Sequence, residues 1–306
     1  MKKLICTIMA VMMIISCSSA LAASFVDMPD NWATEALTKA VDNNLLTGYD
    51  DNTIRPNDNV TRAQMATIMV RAFGATKEAD ISAFSDVNST DWYYSYMAIS
   101  VEMGLFKGDG ENLNPTKNIT RQEAFLVLAR AFDLKDGESS VLDSFNDKEN
   151  VASWAAGATA AMVSNGYVNG SNGNLNPTNN ITRAEFAVLM NNIVKQYITE
   201  SGTYEKDDIA EGNILVRAND VTIKGATIKG NLILGSSVEK GGVILSSSKV
   251  EGEIINDDAN EKVVKKEAAA GGGGGGGGSI GGGTGDSGNT GSDNGEAPGI
   301  EDGGEI

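Results

Sequence analysis

The sequence contains no histidine among its 306 residues. That removes the commonest general base and metal ligand in one stroke. Cysteine occurs twice, as Cys6 and Cys17, both close to the start. Beyond residue 17 there is therefore no disulfide, no thiolate metal site and no cysteine nucleophile. Basic residues are scarce: 24 Lys and Arg stand against 41 Asp and Glu, a formal charge of −17. Nucleic-acid binding needs a basic surface, so that class is excluded, and an anionic membrane surface is disfavoured for the same reason. The acidity itself names no partner, because solubility alone accounts for it. No cofactor, metal ligand set or catalytic group suggests itself, and an enzyme is not expected.

Long apolar runs are also missing, with one exception. Lys2 and Lys3 precede the run from Leu4 to Ile15, and Ala20-Leu21-Ala22 follows. A charged start, an apolar stretch and small residues describe a secretory signal peptide, expected over residues 1–22. The run is short for a membrane span. Ile14-Ile15-Ser16-Cys17 offers a second reading, the lipobox of a bacterial lipoprotein with Cys17 lipidated. Cleavage after Ala22 is preferred. It takes with it Lys2, Lys3 and both cysteines, moving the charge from −17 to −19. Such a leader on a chain then free of cysteine suggests an exported bacterial envelope protein.

What the sequence does have is a threefold repeat. Val60-Thr61-Arg62-Ala63-Gln64, Ile119-Thr120-Arg121-Gln122-Glu123 and Ile181-Thr182-Arg183-Ala184-Glu185 are variants of one motif. A Thr with Glu or Gln three residues later, ahead of an apolar run, is a capping box that opens a helix. The Arg is less expected. At the first helical position it meets the positive end of the helix dipole, where a cation loses a few tenths of a kcal/mol. A solvated arginine or a structural ion pair explains one such case. Three at one register favour a ligand, since broken local rules collect at functional sites.

Other scarce residues keep the same period. Phe-x-Asp opens each copy at Phe25/Asp27, Phe84/Asp86 and Phe145/Asp147, and the three tryptophans Trp32, Trp92 and Trp154 follow. A glycine lies 16 residues after each Trp (Gly48, Gly108, Gly170), and Pro56, Pro115 and Pro177 stand five residues before each capping Thr. Trp32, Ala36, Leu37, Ala40 and Val41 recur at helical spacing, with Gly48 read as the closing cap. Met65, Ile68, Met69, Ala72 and Phe73 form the apolar face of a second helix, repeated by Phe125/Leu128/Phe132 and Phe186/Leu189/Ile193. Each copy reads as helix, turn-rich loop, helix. About 55 residues bury little core alone, so the expected fold is mainly α, with second helices pooled in a pseudo-threefold bundle. The phenylalanines belong in the core. For the tryptophans, core packing competes with stacking on a sugar face. Asn59, Asn118 and Asn180 sit in Asn-x-Thr triplets, read as by-products of the capping threonine.

These residues resemble S-layer homology domains, whose pattern runs Phe-x-Asp, Trp-Ala, a Gly-Tyr-x-Asp-Gly-Thr-Phe-x-Pro-like loop and Thr-Arg-Ala-Glu. Residues 25–80, 84–140 and 145–200 are the three copies. The resemblance implies non-catalytic anchoring to the cell envelope through grooves between copies, which bind secondary cell-wall polysaccharide commonly bearing ketal-linked pyruvate. Carried over by position, it assigns ligand contacts to Asp27, Trp32 and Arg62, to Asp86, Trp92 and Arg121, and to Asp147, Trp154 and Arg183. A guanidinium pairs bidentately with a carboxylate such as pyruvate presents, and an Asp can accept sugar hydroxyls. The chain departs from the pattern at Gln64, where the family has Glu, and at Gln122, where it has Ala. The second and third loops are shorter and lack Tyr49.

After the repeats the character changes. Val221-Thr222-Ile223, Ile228 and Gly230-Asn231-Leu232 match Val243-Ile244-Leu245, Val250 and Gly252-Glu253-Ile254 at an offset of 22, and Gly212-Asn213-Ile214 is similar. Residues 205–266 are expected to form a right-handed parallel β-helix of roughly two rungs, too few to stand alone. They lean on the helical part or self-associate. A polysaccharide lyase reading finds no carboxylate cluster recurring on one face. Residues 267–306 are glycine-rich and acidic, a composition expected to stay disordered. An alternative to display on the wall is structural: tethering an outer membrane or surface layer, with the β-module driving assembly.

Overall fold

A computed structural model describes residues 25–256, 258 and 261–267. The leader and the glycine-rich tail, with the readings attached to them, lie outside the described residues. The repeats supply six α-helices: α1 (Thr34–Asp42), α2 (Arg62–Phe73), α3 (Tyr94–Glu102), α4 (Arg121–Ala131), α5 (Ser153–Ser164) and α6 (Arg183–Ile193). All three capping boxes form, pairing Thr61 with Gln64, Thr120 with Glu123 and Thr182 with Glu185. The second helices α2, α4 and α6 are the central ones. Met65, Met69, Phe73, Phe125, Phe132 and Phe186 are fully buried, and the Phe73 and Phe132 rings lie 5.3 Å apart. Each such side chain contributes roughly 1.5–3 kcal/mol by leaving water.

The two helices of one repeat do not pair with each other. Instead α2 packs on α3, α4 on α5, and α6 closes the ring on α1. At the axis three backbone bonds make a cycle: Val60 donates to the Ile181 carbonyl at 2.9 Å, Ile181 to Ile119 at 3.1 Å, and Ile119 to Val60 at 2.9 Å. The Asn-x-Thr triplets are the segments that meet here, bridging Asn59 to Thr182, Thr61 to Asn118 and Thr120 to Asn180. A helix start leaves backbone N–H groups without intrahelical partners. The neighbouring copy satisfies two of them each time. Ala63 donates to Pro115 O, Gln122 to Pro177 O and Ala184 to Pro56 O, each at 2.9 Å, while Arg62, Arg121 and Arg183 donate their N–H to Lys117, Asn179 and Asp58. The regular proline is thus part of a contact between copies.

Gly48 is not the helix cap that its position suggested. α1 ends at Asp42 with Asn43 as its cap, and the left-handed residue after each first helix is Asn44, Gly104 or Gly166. Gly48, Gly108 and Gly170 serve a different purpose. A Cβ on them would lie 1.9 Å from the Phe25 ring and 2.8 Å from the Phe84 and Phe145 rings. These glycines let the opening Phe lie flat under the loop. Gly170→Ala, which also strains a φ of +68, is expected to lower the unfolding midpoint by several degrees in a thermal melt.

The β-region begins earlier and runs deeper than the sequence indicated. Its strands are β1 (Gln196–Ile198), β2 (Gly202–Glu205), β3 (Ile214–Val216), β4 (Val221–Lys224), β5 (Thr227–Ile228), β6 (Leu232–Leu234), β7 (Val243–Ser246), β8 (Lys249–Val250), β9 (Ile254–Ile255) and β10 (Val263–Lys266). All pairings are parallel, and two faces are four strands deep, in the orders β1-β3-β6-β9 and β10-β7-β4-β2. The offset of 22 is the true register between Val221 and Val243. The added coil was hidden because its strands sit 18 and 19 residues from their partners, β1 inside the stretch assigned to the third repeat and β2 just after it.

The solenoid packs sideways on the bundle. Ile214, Val216, Leu232 and Leu234 fill the solenoid interior, while Leu215, Ile233 and Ile255 point outward and join the helical core. The Arg217 guanidinium donates to the carbonyls of Asn43 at 2.8 Å and of Arg71. Asn213 Nδ2 donates to Ile193 O and Tyr167 Oη, both at 2.9 Å. Leu215→Ala is expected to cost about 2–5 kcal/mol and to lower the midpoint of the helical melt followed at 222 nm. A helical transition that stays put while the solenoid loosens would show the two parts to be uncoupled.

Candidate functional site

The ring places three grooves between copies, and each draws residues from all three repeats. The first is lined by the Thr47–Tyr49 loop and the outer face of α2, with Arg183 from the third repeat and Trp92 from the second, around a cavity of about 240 Å³. The second joins the Leu105–Gly108 loop and α4 to Arg62 of the first repeat and Trp154 of the third, around 330 Å³. The third joins the Tyr167–Ser171 loop and α6 to Arg121 and Trp32, around 450 Å³. The Arg and Trp of one repeat therefore serve different grooves. The ligand contacts named copy by copy, such as Trp32 with Arg62, do not converge.

The tryptophans are not core residues. Trp32, Trp92 and Trp154 are 66%, 63% and 54% exposed. A helix start turns each of them outward onto a groove rim. An indole left in water offers a flat apolar face with a polar edge.

The aspartates have a structural job that was not foreseen. Asp27 accepts the backbone N–H groups of Ile54 and Arg55 at 2.7 and 2.8 Å. Asp86 does the same for Leu113 and Asn114, and Asp147 for Leu175 and Asn176. Each carboxylate thus pins the loop that forms one groove wall.

The arginines explain their place at the helix start. Arg62 Nε donates to Leu113 O at 2.9 Å, Arg121 Nε to Leu175 O at 2.8 Å, and Arg183 Nε to Ile54 O at 2.7 Å. The acceptor is the carbonyl of the residue whose N–H the neighbouring Asp holds. Two arginines also meet the capping-box acid of that neighbour: Arg62 lies 3.5 Å from Glu123, and Arg121 3.1 Å from Glu185. The third cannot, because its neighbour carries Gln64. Arg183, 5% exposed, makes no ion pair among the described residues. It donates Nη2 to Thr47 O at 2.8 Å and stacks 5.2 Å from the Tyr49 ring centre. Burial draws all three guanidinium pKa values below the ordinary one, but they remain charged. Glu123 and Glu185 oppose that shift for Arg62 and Arg121.

The grooves consequently differ in charge. The first presents Arg71 and Arg183 and no carboxylate. The second presents Arg62, Lys107 and Arg130 against Glu123. In the third, Arg121 and Glu185 cancel. The acidic residue as a groove group was missed because its helix-capping role already accounted for it. Gln64 was the available signal.

Comparison with known proteins identifies the family. Residues 24–66, 83–125 and 144–187 match the S-layer homology domain. The chain is 33% identical over 204 residues to a surface-layer 125 kDa protein of Lysinibacillus sphaericus, covering 65% of this chain and 17% of that protein. It is 26% identical over 270 residues to an S-layer protein of Bacillus licheniformis, covering 81% and 30%. An amylopullulanase of Thermoanaerobacterium thermosulfurigenes is 30% identical over 177 residues, covering 56% and 10%. The chain thus spans a tenth to under a third of these relatives.

Proposed function

The chain is an S-layer homology domain protein with three such domains in tandem, and from that premise we propose that it attaches to the bacterial cell wall by seating acidic, pyruvate-bearing wall polysaccharide in the three grooves between its domains. Association with the cell surface is supported by the family and by the surface-layer relatives. The observation that carries the glycan reading is the composition of each groove: one exposed indole and one guanidinium, buried for Arg183 and half-buried for Arg62 and Arg121, brought from different domains to a single cleft. A sugar ring stacks on the indole, and the guanidinium holds an acidic substituent. Both partners are acidic, so recognition is local, and the groove without a carboxylate is the natural seat for an anion. The aspartates hold the loops in place for this contact. The role is binding without catalysis.

The experiment is co-sedimentation with purified cell-wall sacculi. Trp32, Trp92 and Trp154 contribute little to the core, so their triple Ala variant should fold normally. Each lost stack removes about 1 kcal/mol, and together they should weaken binding by about a hundredfold. Extracting the wall polymer, or removing its pyruvate, should release the wild-type protein. Full binding by the triple variant, or to sacculi stripped of polymer, would overturn the reading.

A further inference from the structure

The second groove does not end at its own repeat. Arg130 and Leu105 line it and also line a neighbouring cavity of about 400 Å³ between the bundle and the solenoid. That cleft is bounded by the end of α2, by α4, and by Ser236, Asn256 and Lys262 of the solenoid. We propose that the cleft is a second subsite for the same polysaccharide, so that a chain held between Trp154 and Arg62 runs on past Arg130 and is gripped by the solenoid. This extension rests on the glycan reading of the grooves.

Three observations support it. Arg130 is the hinge between the two cavities. It is exposed, donates Nη1 to Leu105 O at 3.0 Å, makes no ion pair among the described residues, and lines both cavities. The route is electropositive in a chain of charge −17: Arg62, Lys77, Lys107, Arg130 and Lys262 line it against Glu102, Glu123 and Asp258. The cleft also offers what sugar hydroxyls require, both donors and acceptors. Lys77 pairs with Glu102, and Lys262 pairs with Asp258 at 2.9 Å, next to the Ser236 hydroxyl and the Asn256 amide. Each cavity alone suits one compact ligand. Joined end to end, they suit an oligomer longer than the groove. This gives the solenoid a part in adhesion.

The test measures the affinity of the full chain for size-fractionated acidic fragments of wall polymer, short ones that fill a groove and longer ones that overrun it. Wild type should bind the longer fragments about tenfold more tightly. The variant carrying Lys77→Gln and Ser236→Glu changes two exposed side chains confined to the cleft. It should bind short fragments as wild type does and lose the gain with length. A wild type with no preference for longer fragments, or a folded variant that keeps the full preference, overturns the extension while leaving the groove reading intact. Absence of binding at every length would instead remove the groove reading and this one with it.

Discussion

Gln64→Glu is expected to weaken binding of acidic wall polymer to the first groove by roughly tenfold to a hundredfold while leaving the fold as stable as before. Glu at this position would face Arg183 as Glu123 faces Arg62 and Glu185 faces Arg121, at 3.5 and 3.1 Å. The capping box tolerates the change, since Glu serves the other two helices in the same role. A carboxylate in the first turn also complements the helix dipole by about 0.3–1 kcal/mol. The new acid nevertheless takes the place of an anionic ligand on the one buried guanidinium that lacks a carboxylate. A hydrogen bond to a charged group contributes about 1.5–3 kcal/mol, which sets the expected factor. The reverse change, Glu185→Gln, should release Arg121 and raise the affinity of the third groove for the same polymer. Calorimetric titration with pyruvylated fragments and with the same fragments after removal of pyruvate checks both. The difference between wild type and Gln64→Glu should vanish on the pyruvate-free fragments. Equal affinity of the two proteins for the acidic fragment would show that Arg183 does not seat the charge.

How much of this was visible beforehand depended on whether the relevant interaction was local. The capping boxes were legible because Thr and Glu act within one turn, and the structure pairs all three. The apolar faces of α2, α4 and α6 followed from their period, and the β-register between Val221 and Val243 from the offset of 22. The grooves were only half legible. The right residue types were found by period, but they were grouped by repeat, and chain order says nothing about a ring in which α2 packs on α3 and α6 returns to α1. Trp154 joins Arg62 across 92 positions. The role of Asp27 was hidden for the same reason: its partners Ile54 and Arg55 are 27 and 28 residues away and bond through backbone, which carries no signature in the side chains. The first solenoid coil was missed because its spacing differs from that of the next.

The aspartate in each Phe-x-Asp motif gives the largest expected loss of stability. Asp147→Ala leaves the N–H groups of Leu175 and Asn176 without the carboxylate that takes them at 2.8 and 2.7 Å. Two charge-assisted bonds at about 1.5–3 kcal/mol each imply a cost of about 3–6 kcal/mol, a large share of the 5–15 kcal/mol typical of a folded domain. The consequence extends to the ligand. The carbonyl of Leu175 is the acceptor for Arg121 Nε, so releasing this loop also releases the arginine that crosses from the second repeat. Asp147→Asn separates the two ways in which the residue can matter. The amide keeps one acceptor oxygen and turns an NH₂ toward the second N–H, so a carboxylate that acts as scaffold loses stability in this variant too. Binding in the third groove then falls because Arg121 is displaced. A carboxylate that touches the glycan instead loses binding at constant stability. Chemical denaturation and polymer binding measured on the same two variants distinguish these outcomes. A shifted denaturation midpoint for both is expected, and an unshifted midpoint with lost binding would move Asp147 from the frame of the groove to its contact surface.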